Sequence, residues 1–248
     1  MIKVLINGCS GKMGHVVADV IRDTSNFEIC GGFDRKNINC DFKVYTDINS
    51  IENKPDVIID FSLPIATFKI LEYAKSNKVP IVIATTGFTS DEELKIKEYS
   101  KYIPIFKSAN MSYEINLITK LLSEITPKLK NNDIEIIETH HNRKVDAPSG
   151  TAILLADAIN KSVDNSFEYE FNRFNKKEKR DKKKIGFSSI RGGNIVGEHA
   201  VLFFGENETL EIKHTAHSRN VFAEGALKAA EYLIEQDVGL YNMDDLLN

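Results

Sequence analysis

Residues 2–14 read I-K-V-L-I-N-G-C-S-G-K-M-G, and the reading of this stretch decides the fold. Ile2–Asn7 is a short, almost continuous apolar run, the pattern of a strand buried on both faces of a parallel sheet. It breaks into a loop with Gly8, Gly11 and Gly14, and from Met13 onward Met13, Val16, Val17, Val20 and Ile21 recur at helical spacing. A glycine loop between a strand and a helix is the context in which such a loop binds a dinucleotide. Glycine permits the tight turn and the close backbone approach to a pyrophosphate, and the helix start adds free N–H groups and the positive end of its dipole.

The next segment supports that reading. Phe27–Phe33 is a second strand pattern, and it ends in Asp34-Arg35. A carboxylate there can accept hydrogen bonds from the ribose of the adenosine half, while Arg35 can pair with a 2′-phosphate, so NADH, NADPH or both are admitted. The alternation continues through strands at Asp56–Phe61, Pro80–Ala84 and Ile103–Lys107, with helices at Ile65–Ser76 and Ser90–Tyr99. This order predicts an α/β fold with a doubly wound, Rossmann-like parallel sheet. Ligands of such sheets lie at the carboxyl ends of the strands, where Ala84-Thr85-Thr86 and Ser108-Ala109-Asn110-Met111 fall and can meet a nicotinamide carboxamide.

Near Ser112 the pattern changes. A longer helix at Ile115–Leu129 leads to a strand at Ile134–Thr139, a polar loop and a helix over Ser149–Ser162. Asn172–Lys184 is dominated by charge and reads as an exposed loop. Strands at Ile185–Arg191, His199–Gly205 and Thr209–Ala216 suit an antiparallel or mixed sheet, and Val221–Ile234 closes the chain as a helix. The division expected is residues 1–112 with 219–248 as a dinucleotide-binding domain. Residues 113–218 are expected to form an α+β substrate-binding and oligomerisation domain.

Composition narrows the function. The chain has 248 residues, 42% of them hydrophobic and 27% charged, enough to build cores and too apolar for a disordered tail. A net charge of −4 gives no general attraction for nucleic acid or an anionic membrane, so neither is expected as a partner. Cys9, Cys30 and Cys40 form no CxxC pair, and no apolar run reaches membrane-spanning length. The expected location is the cytoplasm.

The stretch from Glu138 to Ala152, E-T-H-H-N-R-K-V-D-A-P-S-G-T-A, gathers His140, His141, Arg143 and Lys144 within an acidic chain. Such a local cluster points to an anionic substrate, with histidine able to exchange a proton near neutral pH and lysine a charge-assisted donor. Ser149, Gly150 and Thr151 open a helix, where backbone N–H groups can hold a carboxylate. A solvated basic loop beside a capped helix would have the same residue types. No set of Cys, His and carboxylates shows zinc spacing, so no metal is expected.

The stretch I-E-I-I-E-T-H-H-N-R-K-V-D-A-P-S-G-T-A closely resembles the signature of the 4-hydroxy-tetrahydrodipicolinate (dihydrodipicolinate) reductase family. The resemblance extends to N-G-C-S-G-K-M-G, D-V-I-I-D-F-S-L-P, A-T-T-G-F, S-A-N-M-S, I-R-G-G-N-I-V-G-E-H-A-V-L-F and L-E-I-K-H-T-A-H-S-R. Two departures are Ala84, where the family often has Gly, and Met111, where Phe is common. The resemblance implies an NAD(P)H-dependent reductase of a cyclic dicarboxylate on the diaminopimelate route to lysine, typically a homotetramer assembled through the second domain's sheet. It implies His140 as catalytic acid/base and Lys144 as the second catalytic donor. His141 would contact substrate, and Gly150-Thr151 would hold a substrate carboxylate. Gly8, Cys9, Ser10, Gly11, Lys12 and Met13 would hold the pyrophosphate, Asp34 the ribose and Arg35 a 2′-phosphate. Ala84, Thr85, Thr86, Ser108, Ala109, Asn110 and Met111 would line the nicotinamide side. Two rival readings are a dehydrogenase of similar architecture acting on another substrate, and a nucleotide-binding module without catalysis.

Overall fold

The structure, a computed structural model, describes every residue except 37 and 175. Position 175 falls within the charged stretch 172–184 and lies outside the described residues. The chain forms two compact units, residues 1–113 with 219–248 and residues 114–218.

The first unit begins with β1 (Ile2–Asn7), α1 (Lys12–Arg22), β2 (Phe27–Phe33), β3 (Val44–Tyr45) and β4 (Val57–Asp60). It continues with α2 (Pro64–Asn77), β5 (Ile81–Ile83), α3 (Ser90–Tyr99) and β6 (Pro104–Lys107). Its seven-stranded sheet is parallel throughout, in the order β12-β6-β5-β4-β1-β2-β3. Here β12 (Gly239–Tyr241) arrives from the end of the chain, after α6 (Asn220–Leu233) and before α7 (Met243–Leu246). The strand order reverses between β1 and β4, which opens a crevice at their carboxyl ends.

Strand residues alternate between the two faces, and each face has its own core. Val4, Ile6, Val57, Ile59 and Val82 pack with α1, α6 and α7, whereas Leu5, Ile58, Ile81 and Ile83 pack with α2 and α3. Burial on both faces is why these strands are continuous apolar runs. Each fully buried Ile or Leu contributes about 1.5–3 kcal/mol, so the centre of the sheet, β1, β4 and β5, is firmly anchored. Local signals place the helices: Pro64 opens α2, and Thr89 with Glu92 makes a capping box at α3.

The second unit is built from α4 (Tyr113–Leu129), whose first residue belongs to the other unit, β7 (Asp133–His140), α5 (Gly150–Lys161) and β8 (Glu168–Glu170). Three further strands follow, β9 (Lys184–Arg191), β10 (Gly197–Phe204) and β11 (Thr209–Ala216). They form a mixed sheet in the order β11-β10-β7-β9-β8, antiparallel on the β10 side and parallel on the β9 side. Leu122 of α4 and Ala152, Leu155, Ala156 and Ile159 of α5 cover the face bearing Ile134, Ile136, Val201 and Phe203. On β7 that inward face runs Ile134, Ile136, Glu138, His140, so an apolar core passes into a buried polar end.

The described residues of the charged stretch are mostly exposed, as expected of a loop, but some of its side chains are tied down. Arg180 donates to Glu135, Asp133 and the carbonyl oxygens of Ile134, Asp181 and Lys184, while Arg173 and Lys176 hold the buried carboxylate of Glu170. Among the described residues, no helix is long and apolar enough to cross a membrane.

Candidate active site

The sequence-predicted residues fall into two groups, one in each unit. In the first unit, a cavity of about 310 Å³ opens where the strand order reverses. Gly8, Ser10 and Gly11 line it from β1, Asp34 and Arg35 from β2, and Lys69 from α2. Gly8 has φ +81°, and a Cβ there would stand 2.6 Å from the carbonyl oxygen of Phe61. A Cβ at Gly14 would overlap the Gly8 carbonyl oxygen, so α1 can approach the loop only with glycine there. Gly11 caps α1 without a side-chain hydrogen bond, which leaves the first N–H groups of the helix turned to the loop. The cradle fits a pyrophosphate.

Asp34 lines this cavity at the end of β2. Its carboxylate accepts from Ser10 N at 3.0 Å, Ser10 Oγ at 2.6 Å and Arg35 N at 2.7 Å. Partial burial pushes its pKa up, but these donors outweigh it and hold the carboxyl below its ordinary value. It is an ionised acceptor.

The other predicted cofactor residues lie on the loop after β1 and the start of α1, and at the ends of β5 and β6. Cys9 is 1% exposed and lies against Gly32, its thiol pushed up to about 12 by burial and by the charge of Asp34. Met13 packs against the core, and Met111 is buried in it. Lys12 and Thr86 are exposed, and Ala84 and Ala109 stand at strand ends. Ser108 Oγ donates to the carbonyl of Asn110, whose Oδ1 accepts from Ser112 N, so this segment is a self-bonded turn.

Thr85 belongs to a hub that sequence reasoning missed. Asp60 is fully buried and accepts from Asn7 Nδ2 (2.8 Å), Ser62 Oγ (2.5 Å), Thr67 Oγ1 (2.6 Å) and Thr85 Oγ1 (3.0 Å). It ties together the ends of β1, β4 and β5 and the start of α2. Burial pushes its carboxyl pKa up, against the pull of the four donors.

In the second unit the histidine segment forms a connected network. Glu138 is 1% exposed and lies in the grip of Arg191, with Nη1 to Oε2 at 2.8 Å and Nη2 to Oε1 at 2.7 Å. Its Oε1 also accepts from Ser149 N, and its Oε2 lies 2.5 Å from His140 Nδ1. Burial raises the Glu138 pKa, but Arg191, Ser189 and His140 bring it down to about 2. The His140 ring meets His199 edge to face at 5.1 Å, and the Ser149 hydroxyl and His199 Nε2 share a hydrogen bond of 2.8 Å. Burial lowers the pKa of both imidazoles, that of His199 to about 3.

Lys144 Nζ pairs with Asp146 Oδ2 at 2.9 Å. The N–H of His141 donates to the Ile195 carbonyl, while its Nδ1 is buried with no partner among the described residues. Ser149 is buried and engaged with Glu138, His199 and the N–H of Ala152. Gly150 is exposed, with open space where a side chain would be, and Thr151 follows it at the start of α5.

Glu138, Asp146, Arg191 and His199 were not singled out from sequence. Glu138 was within reach, because it alternates with Ile134, Ile136 and His140 on one strand face. Arg191 and His199 needed the register, which sets them opposite His140 and Glu138.

Residues 2–111 match the family model for the N-terminus of dihydrodipicolinate reductase, and residues 114–247 match that for its C-terminus. The chain belongs to the dihydrodipicolinate reductase family. It is 48% identical over 247 residues to the 4-hydroxy-tetrahydrodipicolinate reductase of Caldanaerobacter subterraneus subsp. tengcongensis, covering 100% of this chain and 98% of that protein. The enzyme of that name from Clostridium tetani is 48% identical over 250 residues, with the same coverage. A dipicolinate-bound dihydrodipicolinate reductase from Paenisporosarcina sp. TG-14 superposes with a TM-score of 0.82 at 26% identity, covering 98% of this chain and 97% of that one. An amine dehydrogenase from Mycobacterium smegmatis, at 10% identity and a TM-score of 0.65 over 98% of this chain and 95% of that one, shares the fold alone. Reductases of this family and fold work with a nicotinamide cofactor, and the glycine cradle and Asp34 fit one.

Proposed function

We propose that this chain reduces 4-hydroxy-tetrahydrodipicolinate, or the dihydrodipicolinate formed from it, to tetrahydrodipicolinate in lysine and diaminopimelate biosynthesis, using NADH, NADPH or both. The observation that carries the reading is the buried polar end of β7, where His140 is held by Glu138 and Glu138 in turn by Arg191, with Lys144 paired to Asp146 in the segment that follows. Burying such an assembly costs several kcal/mol in desolvation, and sites that move protons are where charges are gathered in this way.

Gly8–Met13 hold the pyrophosphate, Asp34 the ribose and Arg35 a 2′-phosphate. Ala84–Thr86 and Ser108–Met111 flank the nicotinamide, which supplies the hydride. The ammonium of Lys144 and the open start of α5 at Gly150-Thr151 bind the substrate carboxylates, with His141 beside them. When charge builds on the ring carbon next to the reduced one, a proton reaches it from His140 or by way of Lys144. Ser149 acts through Glu138 and His199. The dipicolinate held by the Paenisporosarcina relative has the dicarboxylate character this site calls for.

The working form is a cytoplasmic homotetramer. It assembles through the sheet face opposite α4 and α5, which carries Ile190 at 51% and Phe204 at 39% exposure. Sedimentation of the intact protein tests the tetramer.

Activity is tested by following NADH and NADPH oxidation separately, with substrate generated in place from pyruvate and aspartate semialdehyde by a synthase. Substrate-dependent oxidation is expected, with turnover falling at least about 100-fold in His140→Ala and in Lys144→Ala while cofactor affinity stays within about twofold. Near-normal turnover in both variants would remove them from the chemistry.

A further inference from the structure

We propose that Glu138, clamped by Arg191, is a positioning residue that fixes His140 in its Nδ1–H tautomer and makes Nε2 the atom that exchanges the proton. The inference rests on the reading that His140 handles a proton in the reductase reaction.

The geometry determines the tautomer. Both oxygens of Glu138 accept from the Arg191 guanidinium, so the carboxylate is ionised and has no proton to donate. The group 2.5 Å away, His140 Nδ1, must therefore be the donor. In the neutral ring this leaves Nε2 bare. Nε2 points past Gly197, where a Cβ would stand 3.1 Å from it, so the absent side chain keeps that nitrogen accessible. The ring cannot readily turn, because His199 packs edge to face against it and is itself held by the Ser149 hydroxyl.

Arg191 sets the strength of the arrangement. An unneutralised Glu138 would stabilise the imidazolium and trap the proton, whereas a neutralised one only orients the ring. Arg191 is anchored for this task by its bonds to the carbonyls of Ile190 and Asp146. The groups facing His140 are Glu138 on its own strand, Arg191 from β9, His199 from β10, and Lys144 with its partner Asp146 from the following segment. Of these, Glu138 favours the charged ring, and Lys144 and Arg191 oppose it. Removing Glu138 and removing Arg191 should therefore move the titration of His140 in opposite directions.

The first test needs no assay. Long-range proton–nitrogen NMR of the nitrogen-15-labelled full chain, with His140 assigned by the signals lost in His140→Gln, should show Nδ1 protonated and Nε2 pyridine-like at neutral pH. A ring protonated at Nε2, or a cation across the neutral range, would overturn the proposal. This reading holds or fails regardless of whether the protein turns over substrate, so it separates from failure of the reductase assignment. The second test is the pH profile of kcat/KM. In Glu138→Gln the limb belonging to His140 should move to lower pH, and in Arg191→Gln to higher pH, each by about one unit. Glu138→Gln should lose kcat on the order of 100-fold with KM little changed. Shifts of the same sign, or none in either variant, would mean that the pair serves folding alone.

Discussion

Replacing Asp60 is the sharpest test of how the cofactor side is built. In Asp60→Ala the four donors on its carboxylate lose their acceptor. Ser62 and Thr67 keep weaker contacts with the Leu63 carbonyl, at 3.4 and 3.3 Å, and Asn7 keeps Ser62 Oγ at 3.0 Å. Thr85 Oγ1 keeps only the bond it accepts from Ser62 N. With one donor stranded and three weakened, and about 1–3 kcal/mol for each buried group left unmatched, the gross loss is about 3–6 kcal/mol. Relief of the buried charge offsets part of it, leaving about 2–4 kcal/mol. Asp60→Asn keeps one oxygen for Asn7 and Ser62, and the hydroxyls of Thr67 and Thr85 can turn to accept from its amide, so the cost falls to about 1 kcal/mol. Equilibrium urea unfolding measures both, and calorimetry should show weaker NADH binding in each, because the hub fixes the loops around the cavity. The pH dependence has a definite sign. The folded-state pKa of Asp60 lies above its ordinary 3.8, so its stabilising contribution is full below that value and is lost as pH rises through the folded pKa. The deficit of Asp60→Asn should therefore be largest in acid and shrink toward neutrality. An alanine variant as stable as the parent, or an asparagine variant worse than alanine, would refute the hub.

Other outcomes follow from single features. Gly8→Ala forces φ +81° on an L-residue and drives its Cβ into the Phe61 carbonyl, so a loss of about 2–4 kcal/mol and of dinucleotide binding is expected in melts with and without NADH. Asp34→Ala should weaken NADH about tenfold and NADPH less, since only the former depends wholly on the ribose acceptor; equal losses by calorimetry would remove that role. The Glu138 pKa is depressed to about 2, so its stabilisation is present above its ordinary 4.5 and is lost as pH falls through about 2. Glu138→Gln should flatten that part of the acid unfolding curve, and an unchanged acid limb would contradict the buried pairing.

The frame of the molecule was legible because its strands are covered on both faces. Ile2–Asn7 and Phe27–Phe33 run between the same residues in sequence pattern and structure, as do Ser90–Tyr99 and Thr209–Ala216. What escaped notice was short and at an edge. Val44–Tyr45, Glu168–Glu170 and Gly239–Tyr241 are two or three residues long, too short to show a period, and depend on a neighbouring strand for their existence. The site divides in the same way. His140 and Lys144 lie in one contiguous segment, whereas Arg191 and His199 reach it only through strand pairing, and Asp60 passed as the polar end of an apolar strand. The charged stretch was expected to be an exposed loop, and its described residues are mostly that, but Arg180 reaches five acceptors, three of them on β7, a contact set that no local pattern encodes.

The return of α6 and β12 to the first unit bears on how the protein is made. Ala226, Leu227, Ala230 and Leu233 of α6 complete the core over one face of the parallel sheet, and β12 extends its edge alongside β6. During synthesis that face stays open until residues 220–241 emerge from the ribosome, long after the strands it covers. Residues 114–218 emerge meanwhile and can fold as an inserted module. A nascent chain stalled before residue 219 thus exposes an unfinished apolar face, a natural substrate for chaperones, and the dinucleotide fold can close only after α6 has been made.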